Sequence, residues 1–238
     1  MRRLARPVGL LAVAGGLGLA TMVAVVSPAT AAPVPVAFDC QARPPIGAPQ
    51  QLPLSTSIEA EAPATVVAGA AFEASLAPDA ITVPAQAGGF TVNKLTNLVL
   101  KVPVPQGSTF QSATLTGGSN LGTGVPTVAQ ADNVVRVTVP GPLAGGSTFQ
   151  LPVLHLALAA SGAPGSTVET RLAGTSYDDP GMTFTANVQV GFFAIDVPTF
   201  CFANPSPTFT STGIEAAPDP DPAPDPDPTP EPDPTPTP

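Results

Sequence analysis

Tryptophan is absent from this 238-residue chain, tyrosine and histidine occur once each, and cysteine occurs twice. Each scarcity closes off a class of function. A single histidine cannot build a His-based metal site. Without Trp and with one Tyr, the aromatic stacking typical of sugar sites has little to work with. Lys and Arg together number 8, against 17 Asp and Glu. That balance argues against nucleic acid and against anionic membrane surfaces. Charged residues make up only 11% of the chain, well under the usual quarter. Past the N-terminus, no run of helix formers repeats with a period of 3.6 residues.

Pro and Val-rich alternation fill the space left by those absences. There are 33 Pro and 22 Gly, yet 43% of residues are hydrophobic. Eleven of the prolines fall within residues 218–238, where every second residue is Pro. The rest of the chain is therefore free to fold. Its low Lys content and its wealth of Ala, Pro, Val and Gly suggest a GC-rich bacterial genome.

Residues 1–31 read as a signal peptide. Arg2, Arg3 and Arg6 form a positive start, Val8 to Val26 an apolar core, and Ala29-Thr30-Ala31 a small-x-small cleavage site. Loss of those three arginines would change the net charge from −9 to −12. Residues 32–49 read as an irregular Pro-rich segment carrying Cys40, and residues 50–203 as the folded domain. Residues 204–217 form a linker. Residues 218–238 read as a disordered acidic polyproline tail, an extended spacer of about 65 Å at about 3.1 Å per residue. Two cysteines in an exported chain usually pair, so Cys40 and Cys201 are expected to form a disulfide. Because they bracket nearly all the strands, the bridge could stabilise by up to about 5 kcal/mol on the chain-entropy model.

Within residues 50–203 the alternation of apolar and polar residues gives about nine or ten strands at sandwich-like spacing. Leu52 to Ala60, Leu98 to Val104 and Val135 to Val139 alternate most cleanly. Gln150 to Ala159 is apolar on both faces and reads as central. Thr183 to about Val197 reads as one long strand with Phe184, Ala186, Val188, Val190, Phe192 and Ala194 on one face. All eleven Phe read as core. The pentapeptide Gly-Ser-Thr-Phe-Gln occurs at 107–111 and again at 146–150, with a weaker copy, Gly165-Ser166-Thr167-Val168, at 165–168. Each copy reads as a turn that opens a strand.

Candidate chemistry is sparse. His155 sits in an apolar strand, and no G-x-S-x-G nucleophile elbow accompanies it. Asp178 and Asp179 could offer oxygens to calcium, but no D-x-D-x-D-G run supports them, and they read as a turn. The expectation is no catalytic residue, no metal site, no cofactor and no enzymatic activity.

Val104-Pro105-Gln106-Gly107-Ser108-Thr109-Phe110 and Gly146-Ser147-Thr148-Phe149 resemble the strand starts of immunoglobulin-like modules in bacterial surface proteins. The stretch from Cys40 to Gly69 is similar to secreted actinobacterial domains of unknown function. These resemblances imply an all-β fold, a single immunoglobulin-like antiparallel β-sandwich, located outside the cytoplasm. They imply a non-enzymatic protein of the cell envelope with a structural or adhesive role, whose partners are cell-wall or surface components. No nucleic acid, and no membrane after signal cleavage, is expected as a partner. The alternative is an extracellular carrier or sensor holding an apolar small ligand between its sheets. A pocket in place of a filled core would favour that alternative.

Overall fold

The computed structural model describes residues 32–218. The expected signal peptide and almost all of the expected polyproline tail lie outside the described residues. Those residues contain seventeen strands and no helix. The first eight are β1 (Val34–Ala42), β2 (Gln50–Glu61), β3 (Thr65–Val67), β4 (Ala71–Pro78), β5 (Ile81–Thr82), β6 (Gln86–Ala87), β7 (Phe90–Pro103) and β8 (Ser108–Thr116). They are followed by β9 (Thr127–Ala131), β10 (Val134–Val139), β11 (Leu143–Ala144), β12 (Thr148–Phe149) and β13 (Val153–Ala160). The chain closes with β14 (Thr167–Thr170), β15 (Met182–Val190), β16 (Phe193–Ala203) and β17 (Thr210–Glu215).

The all-β expectation holds, and the strand pairing is almost wholly antiparallel. The arrangement differs from a simple immunoglobulin-like sandwich. Twelve strands join in one sheet with the path β8-β13-β4-β2-β1-β16-β15-β7-β10-β9, and β6 and β11 pair with β7 off that path. The sheet curls until its end strands, β8 and β9, approach each other, so the body is nearly barrel-shaped. Two small sheets, β12-β5 and β14-β17-β3, flank it.

Alternation explains the inner face. Val36, Phe38, Cys40 and Ala42 of β1 are buried, as are Leu98, Leu100 and Val102 of β7 and Leu154, Leu156 and Leu158 of β13. Their neighbours in sequence face outward, as the two-residue period of a strand requires. At one end of the curled sheet Ile58, Leu76, Leu100, Val137 and Leu154 pack so closely that only about 10 Å³ is left between them.

Several expected elements are placed differently. The segment 32–49, expected to be irregular, supplies β1 in the middle of the large sheet, and 204–217 supplies β17. The strand expected from Leu98 is the second part of one 14-residue strand, β7, which starts at Phe90 and has a register shift on its β15 side. Gln150 to Ala159, expected to be central, becomes β13, next to the last strand of the sheet path. The long strand expected from Thr183 to Val197 is a hairpin, β15 and β16, turning at Gly191 and Phe192.

The repeated pentapeptide has one structural meaning. Gly107, Gly146 and Gly165 all adopt positive φ, at 76°, 75° and 87°. The serine after each donates its hydroxyl to the carbonyl three residues back: Ser108 to Pro105, Ser147 to Ala144 and Ser166 to Ala163, at 2.8, 2.6 and 2.6 Å. Glycine admits the left-handed residue of the turn and serine locks it. The repeat is a turn device.

Candidate functional site: an apolar cavity inside the curled sheet

At the other end of the sheet the strands do not close on each other's side chains. They surround a cavity of about 990 Å³. One wall is β2, β1, β16, β15 and β7, contributing among others Leu54, Phe38, Ile195, Phe184 and Leu98. Across it lie β5, β6 and their connections, with Ile81, Val83 and Ala87, and Phe149 of β12. Small or β-branched side chains stand among the larger Phe, Leu and Ile of these walls: Ala42, Thr56, Ala186, Val188, Val197 and Thr199.

Among the described residues, every ionisable type is missing from this lining, and its polar side chains are a few Ser, Thr and Gln. Such a surface excludes charge, because a charged group there would lose its hydration without a partner. It accepts an apolar molecule through dispersion and the removal of apolar area from water. The volume lies at the upper end of the range for small-molecule sites, and the mouth of a barrel is one of their usual places.

Strand register sets the mouth. Val190 faces Phe193 across the β15–β16 hairpin, Gln189 faces Thr91, and Ala42 faces both Thr199 and Gln50. This gathers the hairpin tip, the start of β7 and the β1–β2 loop at one end. Ile46, Phe90, Val190 and Phe193 line the cavity there, yet are 90%, 44%, 36% and 76% exposed. Phe192, at the turn itself, is fully exposed. The expectation that all Phe are core therefore fails at Phe90, Phe192 and Phe193.

Cys40 and Cys201 form a disulfide across β1 and β16, directly opposite each other in the register. Both are buried, on adjacent strands near the middle of the sheet path.

His155 lies on the outer face, away from the cavity. Its Nδ1 is 2.9 Å from Glu73 Oε1 and its Nε2 is 2.9 Å from the Thr116 hydroxyl. With Nδ1–H donating to the carboxylate, Nε2 accepts from the hydroxyl. The order hydroxyl, imidazole, carboxylate is that of a nucleophile relay. Strand register accounts for it more simply. His155 stands opposite Thr114 on β8 and Ser75 on β4, so Thr116 and Glu73 are its diagonal neighbours on the same face. The Glu73 side chain is 63% exposed, and the group borders neither of the described cavities.

Asp178 accepts an ion pair from Arg43 at 2.8 Å, and the Arg43 guanidinium also lies over the Phe200 ring, 4.7 Å from its centre. Asp179 accepts from Thr175 and from its own turn. Among the described residues no cluster of three or more His, Cys, Asp or Glu is placed to hold a metal ion.

No protein-family model matches the chain. No curated protein matches it either. A solved structure from Corynebacterium diphtheriae, described as a "Putative membrane anchored protein", is similar with a TM-score of 0.53 at 19% identity. The match covers 78% of this chain and 38% of that one, so the chain spans well under half the length of its neighbour. At that identity the likeness is one of fold: an all-β body shared with a bacterial protein described as membrane anchored.

Proposed function

We propose that this chain is a non-catalytic binding protein of the bacterial cell envelope that holds an apolar small molecule, of lipid-like size and without charge on its buried part, inside the curled sheet. The observation that carries this reading is the cavity of about 990 Å³ whose lining contains no ionisable side chain. A disulfide between Cys40 and Cys201 supports a place outside the cytoplasm, where such bonds persist. The described neighbour from Corynebacterium, itself termed membrane anchored, is compatible with that place.

A purely structural or adhesive role accounts for the disulfide and for an acidic surface, but gives no reason for the cavity. An apolar wall around so much space forgoes packing that a folded domain otherwise uses, and a ligand restores it. The test is native mass spectrometry of the chain exported by a bacterial host, followed by solvent extraction. A bound apolar compound that leaves on denaturation supports the reading. Protein of the bare chain mass, together with failure to take up any neutral apolar probe, overturns it.

A further inference from the structure

We infer that the mouth of the cavity docks on the surface of a neutral or zwitterionic lipid bilayer, with Phe192 as its inserting tip. The inference rests on the binding reading above, names where the ligand is collected or delivered, and departs from the expectation that the exported chain has no membrane partner.

Three observations support it. Phe192 is fully exposed at a two-residue turn between paired strands, so the ring is held out on a firm stalk. Its neighbours Val190 and Phe193, with Phe90 and Ile46, are exposed and at the same time line the cavity. The apolar surface is therefore continuous from the tip into the interior. Finally, the segments that build this mouth carry no charged residue at all: 44–58, 80–93 and 180–195. In a chain with 17 acidic residues and a net charge of −9, that is a marked gap. An uncharged apolar rim enters the boundary of a bilayer without stripping water from ions, and its affinity grows with the apolar area buried there. An acidic protein with this rim favours membranes of low surface charge over anionic ones.

A second copy of the chain is the competing occupant. The acidic polyproline segment is a poor one, since residues 219–238 offer no apolar side chain larger than Pro.

The experiment is flotation of the full chain with phosphatidylcholine vesicles, comparing wild type, Phe192→Ser and Phe192→Trp. Phe192 does not line the cavity, so uptake of a neutral probe from a cyclodextrin complex serves as a separate reading of the interior. The wild type floats with the vesicles. Phe192→Ser lowers the vesicle partition coefficient about tenfold or more, the ratio expected from withdrawing one aromatic ring from an apolar environment. Phe192→Trp retains binding, and all three take up probe from cyclodextrin equally. A wild type that stays with the soluble fraction, or equal flotation of wild type and Phe192→Ser, overturns the docking. Concentration-dependent dimerisation that Phe192→Ser abolishes, without vesicle binding, assigns the surface to a second copy and also overturns it. Failure of probe uptake with flotation intact would strike the cavity reading alone.

Discussion

Val190 and Phe193 face each other across the β15–β16 hairpin, and only Gly191 and Phe192 separate them in sequence. The turn is two residues long, and its first residue, Gly191, has a φ of 59°. Glycine takes that conformation without the steric cost an L side chain meets. Gly191→Ala is expected to lower stability by about 1 kcal/mol, because the Cβ finds open space but the backbone is strained. Chemical denaturation of the two proteins measures it. An unchanged midpoint would mean that the turn relaxes into another form.

This hairpin also shows what the sequence conceals. Read as one strand, residues 184 to 194 put every even position on the same face. A two-residue turn switches the parity: Phe184, Ala186, Val188 and Val190 line the cavity, then Phe193, Ile195, Val197 and Thr199. Phe192 falls on neither strand. The signal was present in Gly191, which reads equally well as a bend. β1 was hidden in a similar way. Val34, Val36, Phe38, Cys40 and Ala42 alternate cleanly, but Pro33, Pro35, Pro44 and Pro45 suggest irregular chain. The structure accommodates Pro35 because β1 pairs with β16 only from Phe38 onward, so that proline needs no partner on that side. The all-β character, the turn glycines and the paired cysteines follow from local chemistry and were legible, whereas the expected nine or ten strands fell short of the seventeen found, because short pieces such as β5, β6, β11 and β12 are two residues long and leave no alternation to read. The cavity was not, since an inward Val or Phe has the same pattern whether it meets another side chain or a ligand.

The disulfide joins β1 and β16, neighbouring strands near the middle of the sheet path. Thiol titration of the denatured, unreduced protein should find no free thiol. Cys40→Ala with Cys201→Ala should cost about 2–5 kcal/mol of stability, the usual range for a native bridge. Two titratable thiols, or a double variant as stable as the parent, would contradict this placement.

Among the described residues the cavity lining has no ionisable side chain, and the single histidine, His155, sits on the outer face. Binding of a neutral probe should therefore change less than about twofold between about pH 5 and about pH 8, the range in which an ordinary imidazole changes charge. A steep dependence would place an ionisable group against the ligand and refute the assignment of the lining.

The Thr116–His155–Glu73 group is a cross-strand hydrogen-bond ladder on a solvent face. His155→Ala is expected to cost no more than about 1 kcal/mol, as for other cross-strand pairs, and to leave probe binding unchanged. Turnover of a simple activated ester should not differ between the variant and the parent. An esterase activity that disappears with His155→Ala and with Thr116→Ala would make the ladder a catalytic relay instead.

The most direct test of the account is a titration of the chain with a neutral fluorescent hydrophobe, run beside Ala186→Trp. Ala186 lies on the cavity wall in β15, and an indole there fills part of the space without adding charge. The parent is expected to bind saturably at one site and to melt at a higher temperature with ligand, and a folded Ala186→Trp protein to lose both. Absence of saturable binding in the parent, or binding that Ala186→Trp leaves intact, would contradict it.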